Sequence, residues 1–487
     1  MKRIRIWILF LLPVLHASSQ TKKQAGFHYT AVDSIVTGIS TKYKAGFLRR
    51  IMMGKNYRQT WNAPVKLPVF YVSKSGLQAV ELGGGEQTKS LRLKDKTGKE
   101  WVLRTVDKDV RAGLSKWLQR TFVKSIMQDM ISASFPYGQI VVAQLTNALP
   151  IIAAHPKIYF VADDQALGSF RSIFANTVCV LEERAPVPGN AAVRGTEDLR
   201  KELAEGNDPL VLQEKYLQAR LLDMLVGDWD RHEGQWQWAA IDSADMPYYL
   251  AIPKDRDAAF YYSKGPFMKL LQVTLMPYIS GFKTKSTGLR KLSLKALELD
   301  QQFLNALDAA TWQNAIRQFQ RAVNDSVIEA SVKVMPPAIY ALNGRQLISK
   351  LKSRRDGLLK NGMNYYQALS ATVTVNGSDQ EELFVASGRE GKLLLEVFRM
   401  QNGKTQQKIY ERTFDTAETN TIRLNGLKGD DHFVIGGSVV PALKLKIFGN
   451  EGRDIYDVNG AVKAEISDSK DENNIVKNNS SAKICFR

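Results

Sequence analysis

The sequence predicts an α+β protein built in three successive parts, and three observations predict it. Residues 67–290 mix short alternating strands with helices, residues 291–370 keep a helical apolar period, and beyond residue 371 the period changes to two. That last shift marks a domain boundary and a small all-β module over 371–466. At 487 residues, with 44% hydrophobic and 24% charged side chains, the chain is long enough for two or three domains with full cores.

Taken in order, the N-terminus comes first. Lys2, Arg3 and Arg5 precede a short apolar run over residues 6–15, and Ala17-Ser18-Ser19 supplies small residues for cleavage. This reads as a secretory signal peptide over 1–19, too short to remain as a spanning helix. No later run reaches the roughly 20 apolar residues of a membrane helix, so no integral membrane segment is expected in the mature chain. The two cysteines, Cys179 and Cys485, read as a buried free thiol and a terminal one. A formal charge of +18 favours acidic partners. The basic residues are dispersed and accompany no nucleic-acid motif, which argues against nucleic acid.

Residues 20–66 form a lead-in segment with a helix expected over 31–39. The stretch 91–104 reads as a hairpin around Gly98, with Gly83, Gly84 and Gly85 just upstream. Helical spacing covers 112–132 and 210–226. Residues 236–240 and 248–252 make a second hairpin. From 292 to 370 the helical set includes Phe303, Leu307, Trp312, Ile316 and Phe319, broken near Pro336 and Pro337. The polar tail 467–487 reads as disordered.

Two acidic loops flank the second hairpin. The first is Gly227-Asp228-Trp229-Asp230-Arg231-His232-Glu233-Gly234-Gln235-Trp236; the second is Pro253-Lys254-Asp255-Arg256-Asp257-Ala258-Ala259-Phe260. Phosphoryl transfer needs one carboxylate to orient the attacking hydroxyl and further oxygens for the metal on the polyphosphate. Asp230 fits the first role. Gln235 and Asp255 fit the second, with Asp257 as the fallback, while Arg231 and His232 brace the catalytic loop. The same residues also admit a salt-bridged helix end, a charged turn capped by Phe260, or a metal-dependent hydrolase. Five unpaired histidines argue against zinc.

On these motifs, the region 80–265 resembles the atypical protein and lipid kinase superfamily, whose members include phosphatidylinositol kinases, secretory-pathway (Golgi casein) kinases, CotH kinases and HipA kinases. Asp230-Arg231-His232 with Gln235 five after the aspartate, and Asp255 with Phe260 five after it, fit the spacings of its catalytic and metal-binding loops. The resemblance implies a two-lobed kinase-like domain, with a small lobe over 67–180 and a large lobe over 185–290. It implies ATP or another nucleotide with Mg or Mn, covered by the turn at Gly83–Gly85. Arg104 would clamp phosphate with Asp129 as its acidic partner, and Glu182 and Glu183 would lie at the hinge. Arg104 replaces the family's lysine and Gln235 its Asn or acid, so a pseudokinase stays open. The arrangement also resembles the N-terminal part of bacterial outer-membrane surface proteins. That implies a periplasmic, outer-membrane-associated or cell-surface location and an outer-membrane or surface partner. An unknown hydroxyl acceptor, or a non-catalytic cell-envelope interaction module, follows from these alternatives.

In the β-rich part, Gly426-Leu-Lys-Gly429-Asp-Asp431-His-Phe433 and Gly449-Asn-Glu-Gly452-Arg-Asp454-Ile-Tyr456 share one pattern. It resembles the calcium-binding repeats of β-rolls, which would put Ca at Asp431 and Asp454. Sharp Gly/Asp turns between stacked strands are the plainer reading.

Overall fold

Leu91 and Leu93 alternate with polar neighbours, and with Leu103 they are fully buried in the hairpin made by β4 (Ser90–Lys94) and β5 (Glu100–Thr105). The turn between them is set by Asp95, whose carboxylate accepts from the Thr97 and Lys99 N–H groups, and by Gly98 at φ +89°. The computed structural model describes residues 33–83, 88–111, 115, 117, 122–187, 191–208, 210–241, 247–274, 276–279, 281–286, 288–470 and 472–486. The signal stretch 1–19, together with Gly84 and Gly85, lies outside them.

This hairpin belongs to a seven-stranded sheet with β1 (Ser34–Thr37), β2 (Val65–Phe70), β3 (Gln78–Gly83), β6 (Lys157–Val161) and β7 (Val178–Glu183), in the order β1-β2-β6-β7-β5-β4-β3. The lead-in segment therefore joins the small lobe instead of preceding it. Where a helix was expected over 31–39, Ser34–Thr37 pairs antiparallel with residues 65–68. Ile35, Val36 and Thr37 are β-branched, and strand pairing suits them better than helix.

The large lobe centres on the helix Gln213–Val226, whose residues 216–226 are all buried. A helix buried on every side needs partners on every side, for its Arg220 and Asp223 as well as for its apolar residues. Trp236 and Trp238 of β10 (Trp236–Ile241) pack on Tyr216 at 4.8 and 5.7 Å. β10 pairs with β11 (Tyr248–Pro253) in a four-stranded sheet ordered β8-β10-β11-β9, where β8 is Val193–Gly195 and β9 Leu210–Val211. The helix ends at Gly227 (φ +72°), and its last carbonyls, those of Met224 and Leu225, accept from buried Arg354 at 2.6 Å each. Arg354 comes from the helix Pro337–Asp356 of the extension, which starts with proline in its first turn. Asp308 and Asn324 cap two further extension helices through Thr311 N and Val327 N. One apolar core runs through both lobes and the extension. The fold is α+β: a two-lobed domain with a helical extension, then an all-strand module with its own core.

From β16 onward the module winds. Its strands β12 (Thr372–Asn376), β13 (Glu382–Arg389), β14 (Lys392–Gln401), β15 (Lys404–Asp415), β16 (Thr421–Leu427), β17 (His432–Gly437), β18 (Lys444–Asn450), β19 (Ile455–Gly460), β20 (Ala464–Asp468), β21 (Ile475–Asn479) and β22 (Ala482–Phe486) form two sheets. One is ordered β12-β16-β18-β20-β22, and the other β15-β14-β13-β17-β19-β21. Successive strands alternate between sheets and stack in parallel on the previous turn, as in a solenoid. Residues 472–486, expected as a disordered tail, supply β21 and β22, with Cys485 exposed in the last strand. β21 is largely polar, and of this last rung Ala482, Ile484 and Phe486 of β22 pack against the module's core.

The repeated Gly/Asp motif is the corner of each rung. Asp431 Oδ1 accepts from Glu382 N at 2.8 Å, Asp454 Oδ1 from Asp431 N at 2.9 Å, and Asn474 Oδ1 from Asp454 N at 2.7 Å. A Cβ on Gly426 or Gly449 would lie 2.2 or 2.0 Å from the Asp431 or Asp454 Oδ2 atom, so only glycine fits. The motif aromatics Phe433 and Tyr456 stack at 5.4 Å. The Asp431 and Asp454 carboxyl groups are buried and hold backbone N–H groups of the neighbouring rung, which is the part that the sharp-turn reading gives them. Burial, with neighbouring acids adding to it, pushes Asp431 up to about 10 and Asp454 up to about 7.

Candidate functional site

The inner ends of β5, β10 and β11 meet at an open cleft of about 790 Å³ between the lobes. Gly83, Arg104, Asp230, His232, Gln235, Asp255 and Asp257 all line it, having come from four places in the sequence. Six basic side chains (Arg92, Arg104, Lys108, Arg184, Lys254 and Lys295) share the lining with three carboxylates. A cleft of that sign attracts polyanions.

Arg104 leaves β5 toward the cleft and spans two acids. Its Nη1 donates to Asp255 Oδ2 at 2.7 Å, and its Nη2 lies 3.2 Å from Glu182 Oε1 on the neighbouring β7. Burial opposes its charge, but Asp255 and Glu182 outweigh that and hold the guanidinium above its ordinary range. Asp255 sits at φ +48°, a left-handed conformation that turns its carboxylate back under β5. Its other oxygen accepts from Gln139 at 3.3 Å. Despite burial, Arg104 and Lys108 keep Asp255 below the usual carboxylate range. Asp257 meets Lys108 Nζ at 2.5 Å. Burial and the repulsion of Asp255 push Asp257 up to about 6. Burial likewise lifts Glu182 to about 7 against the pull of Arg104.

Asp230 faces them across the cleft. Its Oδ1 accepts from Lys295 Nζ at 2.5 Å, and its backbone N–H donates to Asp228 Oδ1 at 3.0 Å. Lys295 also stands 5.0 Å from the Trp229 ring centroid and 4.9 Å from that of Tyr278. His232 does not reach Asp228; its Nδ1 accepts from Gly234 N at 3.2 Å and caps the turn. Phe260, five after Asp255, is fully buried, 5.0 Å from Phe282 and 6.0 Å from Phe135, and anchors the second loop.

Beneath both loops lies a buried hub. Asp223, on the helix Gln213–Val226, pairs with Arg220 (3.0 Å), Arg231 (3.1 Å) and Arg256 (2.9 Å). Arg231 also donates to the Lys254 and Gln235 carbonyls, at 2.6 and 3.1 Å, and stacks 4.6 Å over Trp236. Arg231 thus ties the two acidic loops together without entering the cleft lining. Burial works against the Asp223 charge, yet its arginines hold it below the usual range. Asp228 next to the hub keeps Oδ2 without a hydrogen bond, and burial pushes it up to about 7.

The expected Arg104–Asp129 pair is not formed. Asp129 points to the opposite side of its helix, where Arg58 (2.6 Å) and Arg49 (2.7 Å) hold it. Glu182 on the adjacent strand takes that role. Glu183 pairs with Lys99 at 2.7 Å and, with Glu182, lines a smaller pocket behind Arg104 walled by Val142, Ala143 and Ile252. Three residues escaped the sequence reading: Lys108, Lys295 and Asp223. The two lysines carry no motif and reach the site only through the fold. Asp223, a lone acid amid Leu221, Leu222, Met224 and Leu225, did carry a signal.

Among the described residues, no three acidic, histidine or cysteine side chains form a metal cage. Mg²⁺ on a nucleotide needs only one or two carboxylates, because phosphates and water complete its shell. Asp255 and Asp257, with Gln235 nearby on the lining, are such a donor set.

No protein-family model matches the chain, and no curated protein matches it. Among solved structures it is similar to the Helicobacter pylori proinflammatory kinase CtkA, at 10% identity over 61% of this chain and 99% of that one, with a TM-score of 0.33. It is also similar to the Golgi casein kinase with Mn and ADP bound, at 9% identity over 60% of this chain and 73% of that one, with a TM-score of 0.32. The Rio2 kinase of Chaetomium thermophilum, as an ADP/Mg²⁺-phosphoaspartate complex, is similar at 11% identity over 59% and 73%, with a TM-score of 0.28.

Proposed function

We propose that this chain is an exported atypical kinase that binds a nucleoside triphosphate with a divalent cation between its lobes and transfers the γ-phosphoryl group to a hydroxyl acceptor. One observation carries the reading: Arg104, Asp230, Asp255 and Asp257 line a single basic cleft although up to 153 positions separate them (257 minus 104). Asp255 and Asp257 hold the cation, with Gln235 as a neutral third oxygen. Arg104 and Lys108, which neutralise those acids in this structure, move onto phosphate oxygens. Asp230 orients the acceptor hydroxyl and takes its proton as the new O–P bond forms and the bond to the bridging oxygen breaks. Lys295 then sits where the transferred group's charge develops. The base is placed at the smaller pocket that Glu182 and Glu183 border. The signal sequence makes the acceptor a periplasmic or cell-surface molecule, with an outer-membrane partner as one such molecule.

The test is calorimetric binding of ATP with and without Mg²⁺ or Mn²⁺, paired with transfer of labelled γ-phosphate. Asp255→Asn should remove the metal dependence of binding, whereas Asp230→Asn should spare binding and abolish transfer. Cation-independent ATP binding, or none, would refute the reading. A pseudokinase is the second reading, favoured by the Arg104 fork, which already spans Asp255 and Glu182. It expects ATP binding without transfer and leaves the chain as a cell-envelope interaction module.

A further inference from the structure

One surface beside the cleft is apolar at its tip and basic around it. The helix Phe47–Met53 exposes Phe47 (73%), Leu48 (75%), Ile51 (51%) and Met52 (47%), and the helix Pro266–Thr274 exposes Leu270 (58%) and Val273 (83%). Single exposed apolar residues are ordinary, but six on two touching helices are not. The helices meet backbone to backbone: a Cβ on Gly265 would lie 2.4 Å from Met52 O, and Ser263 Oγ donates to Met53 O at 3.3 Å. Beneath them Met53 and Met268 pack with Tyr261 and Ile279, and these last two also line the cleft. The patch is therefore rigidly joined to the cleft wall on the Asp230 side.

The exposed charge on the two helices and their flanks has one sign, and Asp129, which pairs with Arg49, is buried. Lys44, Arg50, Lys55, Lys264 and Lys269 are exposed on the two helices and their flanks. No Asp or Glu occurs from residue 41 to 58 or from 258 to 297. A protein surface meeting a like surface of a second copy would oppose these cations to each other, so self-association is disfavoured. Convex apolar tips ringed by Lys and Arg complement one occupant well: an interface of hydrocarbon beneath negative phosphates.

We propose that the helices Phe47–Met53 and Pro266–Thr274 dock this chain onto an anionic lipid bilayer. Phe47, Leu48, Ile51 and Val273 enter the headgroup boundary while the flanking cations meet lipid phosphates. The cleft then opens beside the membrane surface. The docking stands on the patch alone and does not depend on phosphoryl transfer.

The experiment uses the full chain in sedimentation with vesicles of phosphatidylcholine alone and of phosphatidylcholine mixed with phosphatidylglycerol. Binding to the mixed vesicles, weakened by salt, is expected, with little binding to the neutral ones. The doubly substituted Leu48→Asp/Val273→Asp and Arg50→Glu/Lys269→Glu chains should each bind at least about tenfold more weakly. Their melting temperature and ATP affinity should stay unchanged, which separates lost docking from lost folding or a lost cleft. Equal binding by wild type and both variants, no binding to the mixed vesicles, or a dimer in light scattering that Leu48→Asp dissociates would overturn the proposal.

Discussion

The cleft and the solenoid corner both bury aspartates, and they treat them in opposite ways. In the cleft every carboxylate meets a cation: Asp255 meets Arg104, Asp257 meets Lys108 and Asp230 meets Lys295. In the corner, Asp431 and Asp454 meet backbone N–H groups and no cation, and their carboxyl groups rise to about 10 and about 7. An acid-rich turn is therefore not a metal site on its own; the partner decides. A carboxylate paired with a mobile cation can exchange that cation for a metal. A carboxyl group that clasps the next rung is committed to structure.

The largest effect that could break this comparison is at the hub. Asp223→Ala strips the carboxylate partner from buried Arg231 and Arg256, while Arg220 keeps Asp300 at 2.8 Å. Leaving such charges unpaired costs about 3–5 kcal/mol, measurable by urea unfolding followed by tryptophan fluorescence. That probe is regional, because all eight tryptophans lie at or before Trp312. Next comes Gly449→Ala, whose added carbon would sit 2.0 Å from Asp454 Oδ2 and 2.4 Å from the Tyr456 hydroxyl. An overpacked corner of that kind costs about 1–3 kcal/mol, lost from the solenoid, and hydrogen exchange of the β18 and β19 amides reads it. A smaller effect is expected for Asp431→Asn, at most about 1 kcal/mol, because the amide replaces a group that is already neutral near pH 7. The smallest is no effect: added calcium or a chelator should leave solenoid exchange rates unchanged.

pH separates Asp431 and Asp454 from Asp223 and Asp255 with opposite signs, while Asp257, Glu182 and Asp228, raised to about 6, 7 and 7, side with the solenoid pair. Unfolded aspartates titrate near 4. Folded Asp431 and Asp454 hold protons that the unfolded chain releases, so their contribution is full below about pH 4. It is lost as pH rises, by about 7 for Asp454 and about 10 for Asp431. Asp223 and Asp255 are depressed, so their contribution is present above about pH 4 and lost as the pH falls through their lowered values. Acidification from pH 7 to 5 should tighten solenoid exchange protection, while tryptophan-monitored unfolding should weaken only at lower pH.

Much of this was legible in the sequence for local reasons. The β4–β5 hairpin, the helix Gln213–Val226, the β10–β11 hairpin and the switch to strands near residue 371 all follow from period and turn residues. Asp230, Gln235, Asp255 and Asp257 share the cleft lining because two loops flank one short hairpin, which keeps them close whatever else the chain does. What was hidden depends on distance along the chain. Lys295 reaches Asp230 across 65 positions, and Arg58 claims Asp129 across 71. No local pattern encodes such pairs. The rungs at β21 and β22 were hidden for a related reason, since a solenoid strand borrows stability from its neighbour and can itself be polar.

The most direct test of the cleft is ATP binding to the full chain with Mg²⁺ present and then chelated, for the wild type and for Asp255→Asn. The wild type should bind at least about tenfold more tightly with the metal, and the variant should show no such difference, as expected when one carboxylate links metal to protein. Equal metal dependence in both proteins would contradict the assignment of Asp255 and the cleft built around it.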